Sequence, residues 1–366
     1  MINKKTIAVV VPAYNEEAQI GLVLDSMPAF VDRIIVVNDA SRDRTADVVV
    51  DRMDAARGIN QSEVRQPDRI KRTRYNEADV LEQASSLQES KYFAPSQIAN
   101  ETPETDRIIL INFQSNSGKG SAVAQGYKWC MDHQIDCTAV MDGDGQMDPA
   151  ELESIVMPVI NGEVDYVKGN RLTHRSAWLV IPKIRYFGNS ILSILTKIAS
   201  GYWRVSDSQC GYTAISLKAL QSIRIHHIYR CYGVPNDLLV KLNIAFCTVK
   251  EVEIKPVYRV GERSKMRVGI VIPKIAWLLF RCFFKRLWIK YLFRDFHPLF
   301  LLYHFAFLMG LLMLPYAFKI AALAWYGSPV SYETLLVFIF FATSGFQSLL
   351  FAMWMDMQDN DRYYRF

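Results

Sequence analysis

Hydrophobic positions fall into three regimes along the chain. The run IAVVV between Thr6 and Val11 is a β-branched strand that stops at Pro12, and Ala18 to Met27 then repeats its apolar residues at helical spacing. A second buried strand, Ile34 to Val37, ends in the polar turn NDASRDRT and is followed by the helical pattern TADVVVDRM. Ile108 to Ile111 and Thr138 to Met141 repeat the strand signal, and such alternation predicts an α/β fold with a mostly parallel sheet covered by helices on both faces. Ligands of such sheets bind beyond the C-terminal strand ends, where the polar clusters of this sequence fall. Residues Arg57 to Asp106 break the pattern with Glu, Gln, Ser, Asn and Arg, and read as an insertion of unassigned function, a partner-docking arm or disordered segment rather than a catalytic lid, in which Asn76 to Glu89 suits a short amphipathic helix.

The third regime lies downstream. Val268 to Phe293 alternates aromatic and apolar residues with Lys and Arg, the composition of helices lying in a headgroup layer. Leu299 to Phe318 and Leu335 to Met355 each run for about 20 residues without a formal charge, enough to cross a hydrocarbon core of about 30 Å. Two crossings return the C-terminus to the side of the N-terminal domain. Arg281, Lys285, Arg286, Lys290 and Arg294 ahead of the first crossing, with Arg362 and Arg365 in the tail, put that side in the cytoplasm. The expected layout is a catalytic domain over 1–265 with the insertion at 57–106, interfacial helices over 266–296, two transmembrane helices over 297–357 and a cytoplasmic tail over 358–366. The alternative, two buried helices of a soluble core, would bury these runs.

Composition changes this picture little. The 366 residues carry a net charge of +5, concentrated between Arg259 and Arg294, so an anionic surface or substrate is expected near the join to the C-terminal region and no nucleic-acid partner is implied. Six scattered cysteines without a CxxC pair argue against a zinc site or a disulfide framework and fit reduced, mostly buried thiols. His133, His226, His227 and His304 lack metal-ligand spacing. The apolar stretch before Pro12 is too short for a signal-peptide core.

The strongest chemical signal is VMDGDGQMD, Val140 to Asp148. A strand that ends in Asp142-Gly143-Asp144 presents two carboxylates with a glycine for close approach, a donor set for Mg²⁺ or Mn²⁺ completed by substrate phosphate oxygens and water. Gln146 adds a carbonyl ligand and Asp148 an outer carboxylate. NSGKGSA, Asn116 to Ala122, resembles a phosphate loop but has Phe113 where that pattern needs a glycine and Gly120 after the lysine. Two readings stay open for it: Lys119 and nearby N–H groups meet a nucleotide, or the glycines make a tight turn.

VVVPAYNEE (Val9 to Glu17), VVNDASRDRT (Val36 to Thr45), NSGKG, MDGDGQMDP, GNR (Gly169 to Arg171) and DSQCGY (Asp207 to Tyr212), in that order, resemble the family 2 glycosyltransferases. The resemblance implies a GT-A fold, a Rossmann-like nucleotide-sugar-binding domain in which Pro12, Tyr14, Glu16 and Asp39 hold the nucleoside and Asp142, Asp144 and Gln146 hold metal and diphosphate. Asn38 stands where the family's DDGS turn has its first acid. NDLLVKLN (Asn236 to Asn243) and GERSKM (Gly261 to Met266), followed by apolar helices, resemble the polyprenyl-phosphate sugar transferases, a group that includes dolichyl-phosphate mannose synthase.

Three partners follow: a nucleotide-sugar donor, UDP-linked rather than GDP-mannose; a polyprenyl-phosphate acceptor; and the membrane. A homo-oligomer is left open. Arg171, Arg185, Arg263, Ser264 and Lys265 are the candidates for the acceptor phosphate. The expected chemistry is one in-line displacement with inversion at the anomeric carbon, with Asp144 at the reacting diphosphate and Asp207 or Asp237 orienting the acceptor or taking a proton, unless either is a structural partner of a neighbouring Arg. The absence of a Q/RxxRW signature argues against a processive polysaccharide synthase, and intact acids argue against a degenerate nucleotide-sugar-binding scaffold.

Overall fold

The computed structural model describes residues 1–56, 71–231, 233–258 and 268–365. Its strands are β1 (Ile7–Ala13), β2 (Arg33–Asn38), β3 (Ser96–Ile98), β4 (Ile108–Phe113), β5 (Cys137–Val140), β6 (Tyr166–Asn170), β7 (Thr213–Ser216), β8 (Val249–Glu253) and β9 (Tyr364–Arg365). They form one sheet in the order β3-β4-β2-β1-β5-β7-β6-β8-β9. Neighbours within β4-β2-β1-β5 and within β6-β8-β9 are parallel, while β3 and β7 run against theirs.

β1, β2 and β4 are apolar almost throughout because both faces are covered. Successive residues serve opposite cores, as the pleat requires: Ile7, Val9 and Val11 join one, Ala8 and Val10 the other. The first core lies under α1 (Ile20–Asp25), α2 (Thr45–Ala56) and, further along the chain, a helix over Leu152–Ile160. The polar stretch supplies α3 (Glu77–Glu89), which is largely exposed, and the edge strand β3, which pairs with β4, so part of it is ordered on the sheet edge. Asn100 extends that edge by donating to Ile108 O at 2.8 Å and accepting from Leu110 N at 2.9 Å. The opposite core lies under α4 (Lys119–Asp132). The remaining helices are α5 (Leu152–Ile160), α6 (Ala177–Val180), α7 (Lys183–Ser200), α8 (Leu217–Ser222), α9 (Val234–Ile244), α10 (Val268–Trp288), α11 (Leu299–Trp325) and α12 (Tyr332–Asp361), with a π-helical turn over Ile289–Arg294 after α10.

A third core joins α7, α9 and α10 to the near ends of α11 and α12. At its centre Arg286 and Asp356 are fully buried, with guanidinium nitrogens donating to the two carboxylate oxygens at 2.8 and 2.7 Å. Arg286 also donates to Ala199 O and Ile198 O, both at 3.0 Å, at the end of α7. Lys290 donates to Asn243 Oδ1 of α9 at 3.0 Å and to Asn360 Oδ1 of α12 at 2.6 Å. The chain leaving α12 then adds β9 to β8, with Val249 N donating to Tyr363 O at 2.8 Å. This corrects the reading of the basic cluster as flanking charge, since Arg286 and Lys290 face inward; Arg281 and Lys285 are exposed.

Beyond this junction α11 and α12 are long and apolar enough to cross a membrane, and the apolar window of each is 11% buried. Leu301, Leu311 and Phe318 of α11 and Leu336, Phe340 and Phe346 of α12 face outward. Core helices of a soluble fold would bury such side chains, each a gain of about 1.5–3 kcal/mol, so the soluble alternative fits poorly.

Candidate active site at the mouth of the sheet

β1, β2, β4, β5 and β6 all point their C-terminal ends to one edge, and β7, running the other way, begins there. Tyr14 and Glu16 therefore follow β1, Asp39 follows β2, Lys119 comes after β4, Asp142 and Asp144 after β5, Arg171 after β6, and Asp207 to Tyr212 lead into β7.

Two loops are stitched into one wall. Asn15 N donates to Ser41 Oγ at 3.0 Å, Arg42 N to Asn15 Oδ1 at 2.8 Å, Glu16 N to Thr45 Oγ1 at 2.9 Å and Glu17 N to Asp43 Oδ2 at 3.1 Å. Asn38 fits its place as an amide. Its nitrogen donates to Asn112 Oδ1 at 2.9 Å, which a carboxylate could not do, while its oxygen accepts from Ser41 N at 3.1 Å.

Asp39 carries the next wall. It accepts from Ser117 N at 2.6 Å and Gly118 N at 2.9 Å, and burial raises its pKa despite those two amides. Gly120 N donates to Arg230 O at 2.8 Å. A Cβ at Gly120 would lie 1.9 Å from Tyr229 O, so the glycine allows that loop to cross the helix start. The NSGKG motif is thus a tight turn whose N–H groups at 117, 118 and 120 are already engaged, which leaves its lysine as the group placed to meet a nucleotide. Its lysine reaches the mouth: Lys119 Nζ lies 2.7 Å from both oxygens of Asp142, donating to Oδ2. Burial works to lower the Lys119 pKa, and Asp142 more than reverses this.

Asp144 is held at about 6, pushed up by burial and then by Asp142, although Gln146 N donates to it at 3.0 Å. Gln146 Nε2 is buried without a hydrogen bond, and Asp142 Oδ1 has the Lys119 ammonium as its partner. Two crowded carboxylates that share one lysine ammonium fit a hard divalent cation whose other ligands come from substrate phosphates. Among the described residues no group of three or more His, Cys, Asp or Glu is placed to hold a metal.

The acceptor side differs from expectation. Asp207 is fully buried and accepts from Arg171 Nε at 2.8 Å, Nη2 at 3.0 Å and backbone N at 3.1 Å, as well as from Cys210 N at 3.1 Å. Burial works to raise its pKa, yet Arg171 holds it below the usual carboxylate range. A carboxylate so committed does not suit proton abstraction, so Asp207 is corrected to an anchor of Arg171. Asp237 is likewise an anchor: it accepts from Lys241 Nζ and from Tyr229 N at 2.9 Å, fixing the loop that crosses Gly120. Arg185 belongs to α7 but its side chain, like the whole of Arg263, Ser264 and Lys265, lies outside the described residues.

Three features escaped the sequence. Lys168, fully buried in β6, donates to Cys210 O, and Glu251 accepts from Ser206 N at 2.9 Å and Asp207 N at 3.0 Å, so β6 and β8 together hold the loop before β7. That loop brings Gly211 to the acid pair: a Cβ there would meet Lys119 Nζ at 3.3 Å and Asp142 Oδ2 at 3.4 Å. On α6 and α7, Trp178, Leu179, Phe187, Ile191 and Ile194 are exposed, an apolar face announced by the helical spacing of ILSIL that was not recognised.

A nucleotide-sugar-type α/β domain with an acid pair at the sheet mouth and two apolar helices behind it defines a GT-A glycosyltransferase. The model of the family described as glycosyl transferase family 2 matches residues 8–69 and 90–224, and the chain belongs to that family. It is similar to a UDP-N-acetylglucosamine–dolichyl-phosphate N-acetylglucosaminyltransferase of Methanococcus voltae, 26% identical over 255 residues that cover 69% of this chain and 86% of that one. An undecaprenyl-phosphate mannosyltransferase of Micrococcus luteus is 26% identical over 169 residues, 46% of this chain and 68% of that one. Among solved structures, the Mycobacterium tuberculosis glucosyl-3-phosphoglycerate synthase in complex with Mn²⁺, UDP and glucosyl-3-phosphoglycerate aligns at a TM-score of 0.47 and 18% identity over 77% of this chain and 80% of that one.

Proposed function

We propose that this enzyme transfers a sugar from a nucleotide diphosphate, a UDP-sugar in preference to GDP-mannose, to the phosphate of a polyprenyl lipid at the cytoplasmic face of a membrane, inverting the anomeric carbon. The observation that carries the reading is the continuity of the site with the apolar helices: the chain that leaves α12 supplies β9, a strand of the sheet whose mouth holds Asp142 and Asp144. A soluble acceptor would not require that attachment. Two relatives, one taking a UDP-sugar and both acting on a polyprenyl phosphate, support donor and acceptor class.

In this reading Pro12, Tyr14, Glu16 and Asp39 line the nucleoside, and Asp142, Asp144 and Gln146 would hold Mg²⁺ or Mn²⁺ with the diphosphate. Such a cation supplies charge neutralisation for the departing nucleoside diphosphate. Lys119 can exchange its partner Asp142 for a diphosphate oxygen. Arg171, fixed by Asp207, meets the acceptor phosphate together with Arg185, Arg263, Ser264 and Lys265. The acceptor phosphate is anionic near neutral pH, so with Asp207 and Asp237 both engaged no strong protein base is required. The exposed apolar face of α6 and α7 would rest in the headgroup layer beside Trp277 and Phe280 of α10.

The test is transfer of radiolabel from a panel of UDP- and GDP-sugars to undecaprenyl or dolichyl phosphate by the purified full-length protein, with Mg²⁺, with Mn²⁺ and with chelator. Metal-dependent labelling of the lipid by one donor is expected. Nucleotide release without lipid labelling would move the acceptor elsewhere, and silence with every donor would favour a binding scaffold.

A further inference from the structure

A polar cavity of about 400 Å³ opens beside the donor wall, apart from the acid pair. One side is the segment Lys91 to Pro95 that follows α3; the other is the start of α4 with the loop that crosses Gly120. Lys91 and Arg230 line it from these two sides with Ser117 and Ser121, whose hydroxyls donate to Ser115 O at 3.0 Å and to Ser117 O at 2.8 Å, and among the described residues no carboxylate lines it. His226 completes the wall, stacked on Tyr92 with ring centroids 5.6 Å apart and with Nδ1 3.0 Å from Glu89, which ties the segment to the opposite side. Solvated surface charges would ordinarily point apart. Here two cations from separate elements border one half-open cavity, the charge that a phosphate group meets.

The cavity's position gives it a consequence. Ser117, on its wall, donates its N–H to Asp39, and Arg230, also on its wall, accepts from Gly120 N. Between these two lies Lys119, whose amine holds Asp142. The cavity and the donor site are therefore two faces of one turn. The family model passes over residues 70–89, so α3, which leads into the cavity's outer wall, belongs to a segment outside the shared frame.

We propose that this cavity is a regulatory site for a small phosphate-bearing anion, whose binding braces the turn at residues 117–120 and thereby changes the affinity of the donor site for its nucleotide. Coupling of this kind is reciprocal, so bound nucleotide alters the anion's affinity by the same factor. The inference goes beyond the transfer reading and is tested without it, through binding rather than turnover.

The experiment is calorimetric titration of the full-length protein in detergent with inorganic phosphate, without divalent cation, for the wild type, Lys91→Ala/Arg230→Ala, Lys91→Glu and Asp142→Ala. UDP affinity in Mn²⁺ is then measured with and without phosphate. Phosphate should bind at least tenfold more weakly to both cavity variants than to the wild type and to Asp142→Ala. Saturating phosphate should shift UDP affinity at least twofold in the wild type and leave it unchanged in Lys91→Ala/Arg230→Ala. Equal phosphate binding in wild type and cavity variants, no binding in the wild type, or an unshifted UDP affinity would overturn the proposal. So would weaker UDP binding by the cavity variants in the absence of phosphate, since the cavity would then be part of the donor site. Lys91 is exposed, so Lys91→Glu keeps the test valid if the double variant is less stable. UDP binding that persists through any of these failures leaves the transfer reading standing.

Discussion

The mouth of the sheet and the junction with the apolar helices are both built from paired charges, but they are finished to different degrees. At the junction Asp356 accepts from Arg286 at both oxygens and also from the Tyr291 hydroxyl at 3.0 Å, and Lys290 and Asn243 both donate to Asn360. At the mouth both oxygens of Asp142 share the single Lys119 ammonium, Gln146 keeps a buried amide nitrogen without a hydrogen bond, and Asp144 is crowded by Asp142. A network with its partners present contributes to the fold. One that lacks partners is tolerated where a ligand supplies them, and that contrast separates structure from site here more sharply than residue type does.

The largest effect should follow from breaking the finished network on one side. Asp356→Ala leaves a buried guanidinium unpaired and is expected to cost about 3–5 kcal/mol, read as a lowered unfolding temperature in detergent. The double change Arg286→Met/Asp356→Leu should recover most of it; if it does not, the pair matters for more than mutual neutralisation. At the mouth the effect falls on activity: Asp142→Ala should reduce turnover by about 10²–10³-fold with a smaller change in unfolding temperature than Asp356→Ala, because relief of the repulsion on Asp144 offsets part of the lost pair with Lys119. Near-normal turnover with donor and metal supplied would make the site assignment wrong. A smaller effect is expected from Gly211→Ala, whose Cβ contacts at 3.3 and 3.4 Å press on Lys119 and Asp142. About a tenfold loss in kcat/KM for the donor, with stability changed by less than about 1 kcal/mol, is predicted.

The same contrast explains what was legible in the sequence. β1, β2, β4 and β5 were readable because strands buried on both faces are apolar without interruption, and the acid pair was readable because it follows such a strand. β6 hides Lys168 in its middle, β8 reads VKEVE, and β9 has two residues, so none has a strand's usual signature. Asp207 was picked out by its motif, but its commitment to Arg171 is a contact across 36 positions of sequence. Arg286 was read as flanking charge because its partner lies 70 positions away at the end of an apolar helix, a pairing that only packing reveals.

Lys290 offers the gentlest probe of the junction. Burial, then Arg286, pushes its pKa down to about 7, against an opposing pull from Asp359 and Asp356; Arg362 adds to the depression. An unfolded chain holds this proton to about 10.4, so between pH 7 and 10 the unfolded state binds more protons and stability contributed through Lys290 rises with pH. Below about 7 both states are protonated and the cost of the buried ammonium is fully present. The unfolding temperature of the wild type should therefore climb between pH 7 and 9 relative to that of Lys290→Met, which lacks the titrating group while keeping most of the packing against Phe246 and Tyr363. Parallel profiles for the two proteins would mean that the amide oxygens of Asn243 and Asn360, 3.0 and 2.6 Å away, keep the ammonium charged throughout, and that the junction is an ionic lock at every pH tested.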